Sequence, residues 1–292
     1  MQFEPIAIVG RSCILPGALS PEALWEAVIE GRDLVSQVPA ERWRLDPKDV
    51  LGTSDSTADR TWTDRGGYVR GFERVWDPRG FACAESVLEG MDEGILWALH
   101  CAREALRQAG DDRTGAIERP RVSAIYGNLG FPSSSMSQYA EAVWLDEKRP
   151  KAWNRYMSGG SAALMRRALG LHRETFCLDT ACASSLYALK LACDQLHDRT
   201  VDVALAGAVN RSDDLFVHMG FTALKAISPT GQSRPFHAAA DGLLPAEGAG
   251  FLALKRLADA RRDQNEIFGI VRGIGLSNDG RARGFLAPSV DG

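Results

Sequence analysis

The chain has 292 residues, of which 45% are hydrophobic and 25% charged, a composition that supports a substantial core and argues against disorder. Its net charge of −4, from 34 Lys and Arg against 38 Asp and Glu, provides no basic surface for nucleic acid. No run approaches the roughly 20 apolar residues of a membrane span, and residues 1–10 predict a strand rather than a signal peptide. We therefore expect a cytoplasmic protein with neither a membrane nor a nucleic-acid partner.

The first third of the chain predicts one strand and two helices around an irregular stretch. Residues 6–10 are apolar and end in glycine, which indicates a buried strand closed by a turn. The Ser-Pro pair at 20–21 and the glycine at 31 are typical of the start and end of a helix. Residues 38–81 have no sustained period and predict a long surface excursion. A long helix over 89–109 is expected to stop at the glycine that follows it.

The rest of the chain alternates strands with helices. Strands are predicted at 122–127, 175–178, 201–209, 250–255 and 267–275. Helices are predicted at 134–148, 158–169, 182–197 and 213–224. The strand at 201–209 is too apolar for an exposed edge, so we expect it near the centre of the sheet. The alternation predicts an α/β domain with a largely parallel sheet covered on both faces.

The six cysteines stand at positions 13, 83, 101, 177, 182 and 193, and none belongs to a CxxC pair. Their spacing does not resemble a zinc site. In a chain of this size with no export signal, free thiols are more typical than a disulfide framework. We expect one reactive thiol, five small core residues and no bound metal.

Cys182 follows the strand at 175–178 and opens the next helix, a position that favours nucleophilic chemistry. The first N–H groups of a helix lack intrahelical partners, and the helix dipole is positive there. Both features favour a thiolate. The same N–H groups can stabilise an oxyanion on a thioester carbonyl. Geometry alone leaves a second interpretation open, in which Cys182 is a small buried residue and Ser184 or Ser185 only caps the helix.

The segment DTACASS at 179–185 resembles the active-site signature of the β-ketoacyl synthases, in which the cysteine accepts an acyl group. Other segments resemble the same family in the same order along the chain. They lie at 6–10, 15–33, 158–172, 231–257 and 275–289. Together they span nearly the whole chain and identify it as similar to the N-terminal part of a polyketide or polyunsaturated fatty-acid type ketosynthase.

The resemblance implies an α/β, thiolase-like fold of stacked αβαβα layers. Residues 1–257 would form the N-terminal half, and residues 258–292 would begin a C-terminal half. The family is usually homodimeric and receives its acyl groups from the phosphopantetheine arm of an acyl carrier protein, with no bound cofactor. After the cysteine is acylated, a malonyl-type extender is decarboxylated and its carbanion attacks the acyl-enzyme. Other synthase domains, or a chain carrying the C-terminal half, are further expected partners.

The resemblance also assigns site residues. Cys182 would be the nucleophile, and its backbone N–H part of the oxyanion hole. Substrate binding or support of the active-site loops would fall to Ala181, Ser184, Asp241, Glu247 and Asn278. The stretch 127–130 corresponds to a part of the family that lies near the acyl pocket and the dimer contact.

Departures from the family pattern limit what the chain is expected to do. The HGTGT-type and NIGH-type segments, whose histidines support decarboxylation, do not occur in these 292 residues. We therefore expect a fragment, with one half of a split synthase and a non-catalytic scaffold as alternatives. Phe236-His237 replaces the usual Phe-Asp, with local consequences only. Met91-Asp92-Glu93 replaces a segment common in modular synthases, which leaves the subclass open.

Overall fold

The structure, a computed structural model, describes residues 3–40, 42–53, 58–113, 118–148, 151, 154, 158–280 and 289–290. Its centre is a six-stranded sheet, accompanied by a two-stranded ribbon. The sheet strands are β1 (Ile6–Ile14), β4 (Val122–Asn128), β5 (Thr175–Leu178), β6 (Val203–Asn210), β7 (Gly248–Arg256) and β8 (Gly269–Val271). The ribbon strands are β2 (Ser36–Gln37) and β3 (Arg65–Gly66). Of the segment at 275–289 that resembles the family, residues 281–288 lie outside the described ranges.

The helices lie mainly between the strands. They are α1 (Pro21–Ile29), α2 (Pro47–Val50), α3 (Glu85–Leu88), α4 (Glu93–Gln108), α5 (Ser134–Trp144), α6 (Ser158–Ala168), α7 (Ser184–His197), α8 (Asp214–Ala223) and α9 (Leu257–Arg262). A 3₁₀ turn is described at Phe72–Arg74.

The strand order is β5-β4-β6-β7-β1-β8, so the strand predicted to be central, β6, does lie inside the sheet. Among the described sheet strands, only the pairs β4–β5 and β4–β6 are parallel. The pairs β6–β7, β7–β1 and β1–β8 are antiparallel. The prediction of a largely parallel sheet is therefore wrong. Alternation of strands and helices indicates which elements follow each other, and it does not fix the direction in which the next strand enters the sheet.

The two faces of the sheet are covered unequally. Alternate strand residues point to opposite faces, and Ala124 and Phe251 pack with α4 and α6 in the larger core cluster. Ala204 and Leu254 belong to a smaller cluster with residues of α7. Beside α7 an apolar groove of about 740 Å³ lies open over β6 and β7. The prediction that both faces are covered is therefore confirmed for the face that carries α4, whereas the face that carries α7 is partly open.

Local capping signals define several helix ends. Ser20 caps α1 by accepting a hydrogen bond from Ala23 N at 3.2 Å, and Gly31 follows with φ +65°, as the sequence predicts. The long helix predicted over 89–109 begins later, at Glu93. The Asp92 carboxylate caps it through Gly94 N at 2.9 Å, and this cap sets the start.

Gly10 lies inside β1 and does not close a turn, so that prediction is wrong. A Cβ at this position would stand 2.0 Å from the carbonyl oxygen of Ala105 on α4. The glycine is required because the helix backbone crosses the strand closely there.

The stretch 38–81 is more deeply buried than a surface excursion would be. Trp43 and Tyr68 are each 4% exposed, and Thr61 is fully buried. Stretches 36–37 and 65–66 pair as the two-stranded ribbon. Periodicity missed this packing because the stretch folds over the domain without a long regular element.

Candidate active site

A five-residue turn joins β5 to α7 and carries Cys182 at its exposed tip. The strand ends at Leu178 as predicted, and the helix begins at Ser184, two residues later than predicted. Ala181 has φ +51°, in the left-handed region that residues other than glycine seldom adopt. This reversal before Cys182 delays the helix and turns the thiol outward.

The Ser184 hydroxyl stabilises the turn through two hydrogen bonds. Its Oγ accepts a hydrogen bond from Thr180 N at 2.9 Å and donates one to the Ala181 carbonyl oxygen at 2.6 Å. The side chain is buried, with 5% exposure, which prevents direct contact with a large substrate. Both capacities of the hydroxyl are therefore used by the backbone around Cys182.

Asp179 ties the same turn to a neighbouring loop. One carboxylate oxygen accepts from Ala181 N at 2.9 Å, and the other accepts from Gly130 N at 2.7 Å. Sequence reasoning missed this residue as a site residue. Its place shortly before a cysteine at a strand end was a usable signal, since Asp commonly accepts from the N–H two residues on.

Gly127, at the end of β4, allows α7 to approach the sheet. A Cβ on Gly127 would stand 2.5 Å from the Cβ of Ser184 and 3.3 Å from Ser185 N. The first turn of the helix therefore rests directly on the strand backbone, which fixes the height of the Cys182 turn above β4.

The electrostatic surroundings of Cys182 suit an anion. No side chain caps α7, whose N-cap residue is Ala183, and in the described chain no hydrogen bond occupies the backbone N–H of Cys182. The positive end of the helix dipole lies at this turn. The arrangement can stabilise negative charge on the sulfur or on an oxygen bound beside it.

Cys182 is the exposed thiol of the chain, and all six cysteines are free. Burial raises the pKa of the other five thiols, to about 11 at Cys13, to about 12 at Cys177 and Cys193, and in the same direction at Cys83 and Cys101. A thiol must ionise to act as a nucleophile. The surroundings of these five thiols therefore disfavour their ionisation.

Two predicted polar residues support loops away from the turn. Asp241 accepts from the hydroxyls of Ser228 and Thr230, both at 2.7 Å, and these bonds lower the pKa of its carboxyl. Asn278 accepts from Gly280 N at 2.7 Å in an exposed turn. In the described chain neither side chain bonds to residues 179–184.

Glu247 lies in a buried ion cluster. One carboxylate oxygen accepts from Val69 N at 2.7 Å, and the other pairs with Arg42 and, at 3.4 Å, with Arg211. Burial raises the pKa of this carboxyl from 4.5 to about 7, although the two guanidinium groups act to lower it. The cluster joins the start of β7 to the end of β6 and to Arg42.

A cavity open to solvent lies beyond the loop that Asp179 holds, with about 480 Å³ of empty space when the solvent at its mouth is included. Asn128, Leu129 and Phe131 of that loop line it, and Ile95 and Arg211 line it from other elements. Its wall is mixed in polarity. Arg211 is already paired with carboxylates, so its charge is compensated within the protein.

All five histidines are described, and none hydrogen-bonds the Cys182 thiol. His237 accepts from Ala239 N at 3.0 Å within its own loop, and His197 and His218 bond backbone carbonyl groups. His172 pairs with Glu118. His100 lies in the core, where burial lowers its pKa to about 4.

Within the described ranges, no helix is both long and apolar enough to cross a membrane. The described His, Cys, Asp and Glu side chains include no group of three or more placed to hold a metal ion.

Comparison with known sequences finds one matching family, described as "Beta-ketoacyl synthase, N-terminal domain", over residues 3–260. A phenolphthiocerol/phthiocerol polyketide synthase protein of Mycobacterium tuberculosis is 35% identical over 291 residues, which make up 98% of this chain and 15% of that protein. A second protein of the same synthase is 34% identical over 295 residues, 98% of this chain and 18% of that protein. The chain therefore spans less than a fifth of the length of these relatives.

The solved structures that superpose on this chain include ketosynthases as well. The PfaC keto synthase–chain length factor superposes with a TM-score of 0.88 at 34% identity, over 96% of this chain and 32% of the other. The ketosynthase from module 6 of the bacillaene synthase of Bacillus subtilis superposes with a TM-score of 0.77 at 26% identity, over 99% of this chain and 46% of the other.

Proposed function

The chain belongs to the β-ketoacyl synthase family and has its thiolase-like fold, and we propose that Cys182 is the thiol that accepts the acyl group. The supporting observation is that Cys182 is exposed on an uncapped strand-to-helix turn. The other five thiols have raised pKa values. A structural cysteine has no need of either an exposed position or a free N–H beside it.

In the proposed step the Cys182 thiolate attacks the carbonyl carbon of an acyl thioester. A new S–C bond forms, and the carbonyl oxygen becomes an oxyanion beside the Cys182 N–H and the positive end of α7. The oxyanion collapses, the C–S bond to the donor breaks, and the departing thiolate takes up a proton. The product is an acyl-enzyme and a free donor thiol.

The proposed donor is an acyl group on the phosphopantetheine arm of an acyl carrier protein, in polyketide or fatty-acid synthesis. The polyketide synthase proteins among the relatives support this class of substrate. We assign the acyl chain to the cavity beside Leu129 and Phe131, because the loop that lines it is held to the Cys182 turn.

Decarboxylative condensation needs groups that polarise the extender thioester. None of the five histidines bonds the Cys182 thiol. In assays with this chain alone we therefore expect acyl transfer without formation of a carbon–carbon bond.

We also propose that residues 1–257 form the first half of a ketosynthase domain and that residues 258–292 lead into a second half. The apolar groove beside α7 supports this division, since Leu186 and Leu189 line it over the sheet. A second layer packed on α7 would bury them.

A homodimer is the proposed assembly. In the described chain β5 pairs only with β4, so its outer edge carries unpaired backbone groups. Phe176 on that strand is 38% exposed. Edges of this kind favour pairing with another chain.

Self-acylation tests the proposal directly. The 292-residue chain is incubated with the butyryl thioester of N-acetylcysteamine and analysed by intact-protein mass spectrometry. We expect one butyryl group per chain, lost in Cys182→Ala and kept in Cys83→Ala, whose thiol is half-buried. Added malonyl thioester should give no condensation product.

Circular dichroism and a cooperative thermal transition establish that each variant is folded. A folded wild-type chain without an adduct, or a Cys182→Ala variant that keeps the adduct, would contradict the assignment and favour a scaffold role.

A further inference from the structure

Asp179 is exposed, yet both of its carboxylate oxygens are engaged by backbone N–H groups. The bonds to Ala181 N and Gly130 N measure 2.9 and 2.7 Å. Exposed carboxylates usually point into water, and hydrogen bonds to an ionised acceptor are stronger than neutral ones. Two such bonds from one side chain indicate a specific structural task.

The two N–H groups belong to loops that follow neighbouring parallel strands. Gly130 comes after β4, and Ala181 comes after β5, where Gly127 and Leu178 are paired in register. A Cβ on Gly130 would stand 3.2 Å from the carboxylate, a tighter contact than most Cβ atoms make, so the loop lies close against Asp179. Asp179 therefore sets the spacing between the Cys182 turn and the loop that lines the cavity.

The bond to Ala181 N also holds a conformation that alanine disfavours. Ala181 has φ +51°, and its left-handed backbone places Cys182 outward. Ser184 supplies a second restraint by bonding Thr180 N and the Ala181 carbonyl. Asp179 and Ser184 thus clamp Ala181 from its N–H side and its C=O side.

Each carboxylate oxygen of Asp179 accepts from a backbone N–H, so the side chain acts as an acceptor on both sides. A residue of this kind acts by placing its neighbours.

We propose that Asp179 is a positioning residue for acyl transfer at Cys182, an inference that rests on the proposed function. Its carboxylate keeps Ala181 left-handed, and so keeps the thiol turned outward. It also holds the Gly130 loop, and with it the cavity wall, at a fixed distance from the sulfur.

Three variants test the inference: Asp179→Ala, Ala181→Gly and the double variant. Two rates are measured on the full chain: butyryl transfer from the N-acetylcysteamine thioester and alkylation of Cys182 by iodoacetamide. We expect Asp179→Ala to slow butyryl transfer by about tenfold or more, the effect of losing one or two hydrogen bonds. Glycine adopts left-handed φ without penalty, so the double variant should recover a large part of the loss.

Asp198→Ala is the matched control, because Asp198 is exposed at the opposite end of α7. It should leave both rates and the thermal midpoint unchanged. Wild-type rates in Asp179→Ala would overturn the inference. So would a loss that Ala181→Gly does not rescue and that follows a fall in thermal midpoint, because that pattern indicates general destabilisation.

Alkylation separates this inference from the proposed function. Iodoacetamide reports how the thiol is presented and needs no acyl-transfer machinery. If wild type alkylates at Cys182 and never accepts butyryl, the proposed function fails. An alkylation rate that falls in Asp179→Ala and returns in the double variant would still support the positioning role.

Discussion

Glu247 is a buried carboxyl whose charge the surrounding cluster only partly balances. Arg42 and Arg211 supply two positive charges, while Glu247, Asp214 and Glu93 supply three carboxyls. One carboxyl in such a group is expected to hold its proton near neutral pH. Glu247 is the most deeply buried, with 4% side-chain exposure, and burial raises its pKa to about 7.

Stability should therefore decrease as the pH rises through neutrality. The folded protein holds this proton more tightly than the unfolded chain, whose carboxyl titrates near a pKa of 4.5. The contribution of Glu247 is complete below pH 4.5 and is lost as the pH rises through 7. Glu247→Gln should reduce the fall in unfolding free energy between about pH 5 and about pH 8 by about 1–3 kcal/mol, measured by urea denaturation.

Glu30→Gln, at an exposed glutamate after α1, provides the control and should keep the wild-type pH dependence. A Glu247→Gln variant whose stability falls as steeply as that of wild type would contradict the assignment.

At the scale of single residues, the sequence predicts the position of Cys182 on its turn better than it predicts the residues that support the turn. Cys182 stands out because it follows a strand and opens a helix within a recognisable segment, and the structure has it exposed on that turn. Its assignment as nucleophile remains a proposal. Asp179 was missed, because its second partner lies 49 residues away. Glu247 pairs with Arg42, which lies 205 residues away in the sequence, and no local pattern reveals such a pair.

The contact between β4 and α7 depends on one small residue. Gly127 leaves room for the first turn of the helix, and a Cβ there would stand 2.5 Å from the Cβ of Ser184. Neither partner has a flexible side chain that could move aside, so helix or strand must shift.

Gly127→Ala should destabilise the fold by about 1–3 kcal/mol, the usual cost of overpacking. It should also slow acylation of Cys182, because the displaced helix carries the turn. Gly220→Ala is the control: Gly220 lies within α8 and a Cβ there meets nothing within 4 Å. That change should stabilise the protein by up to about 1 kcal/mol.

Urea denaturation measures both effects. Equal stability of Gly127→Ala and wild type would mean that the helix does not rest on the strand backbone at Gly127.

Elements with local signals were predicted well, and those set by packing were not. The ends of α1 follow from Ser20 and Gly31, which act on their own helix. The role of Gly10 depends on the carbonyl of Ala105, almost a hundred residues later. Leu186 is 60% exposed on α7, whereas Ala188 and Ala192 of the same helix are fully buried.

For the whole molecule, the unequal covering of the two sheet faces is the main feature. One face carries α4 and α6 and a continuous core. The other carries α7 and an open apolar groove of about 740 Å³. Exposed apolar surface of this kind is typical of interaction sites.

We expect the isolated chain to self-associate beyond a dimer as its concentration rises, measured by sedimentation velocity. Leu186→Gln should reduce this association without altering the fold, because Leu186 lines the groove. Leu45→Gln makes the same change at a leucine of similar exposure, 55% against 60%, outside the groove. Equal association of the two variants would mean that the groove does not drive it.

The fold class follows from the sequence, whereas strand directions do not. The alternation of strands and helices, together with the family segments, predicts the thiolase-like α/β architecture that the solved relatives share. The antiparallel entry of β7 and β1 could not be predicted, since a strand has the same period of two in either direction.

The place of β1 between β7 and β8 has a consequence for biosynthesis. Ile14 leaves the ribosome long before Gly248, the first residue of β7, is made. At about 5–20 residues per second, the intervening chain takes roughly 10–50 s to synthesise. During that interval an apolar segment stays without its partners, and the sheet closes around it only when translation has passed residue 271.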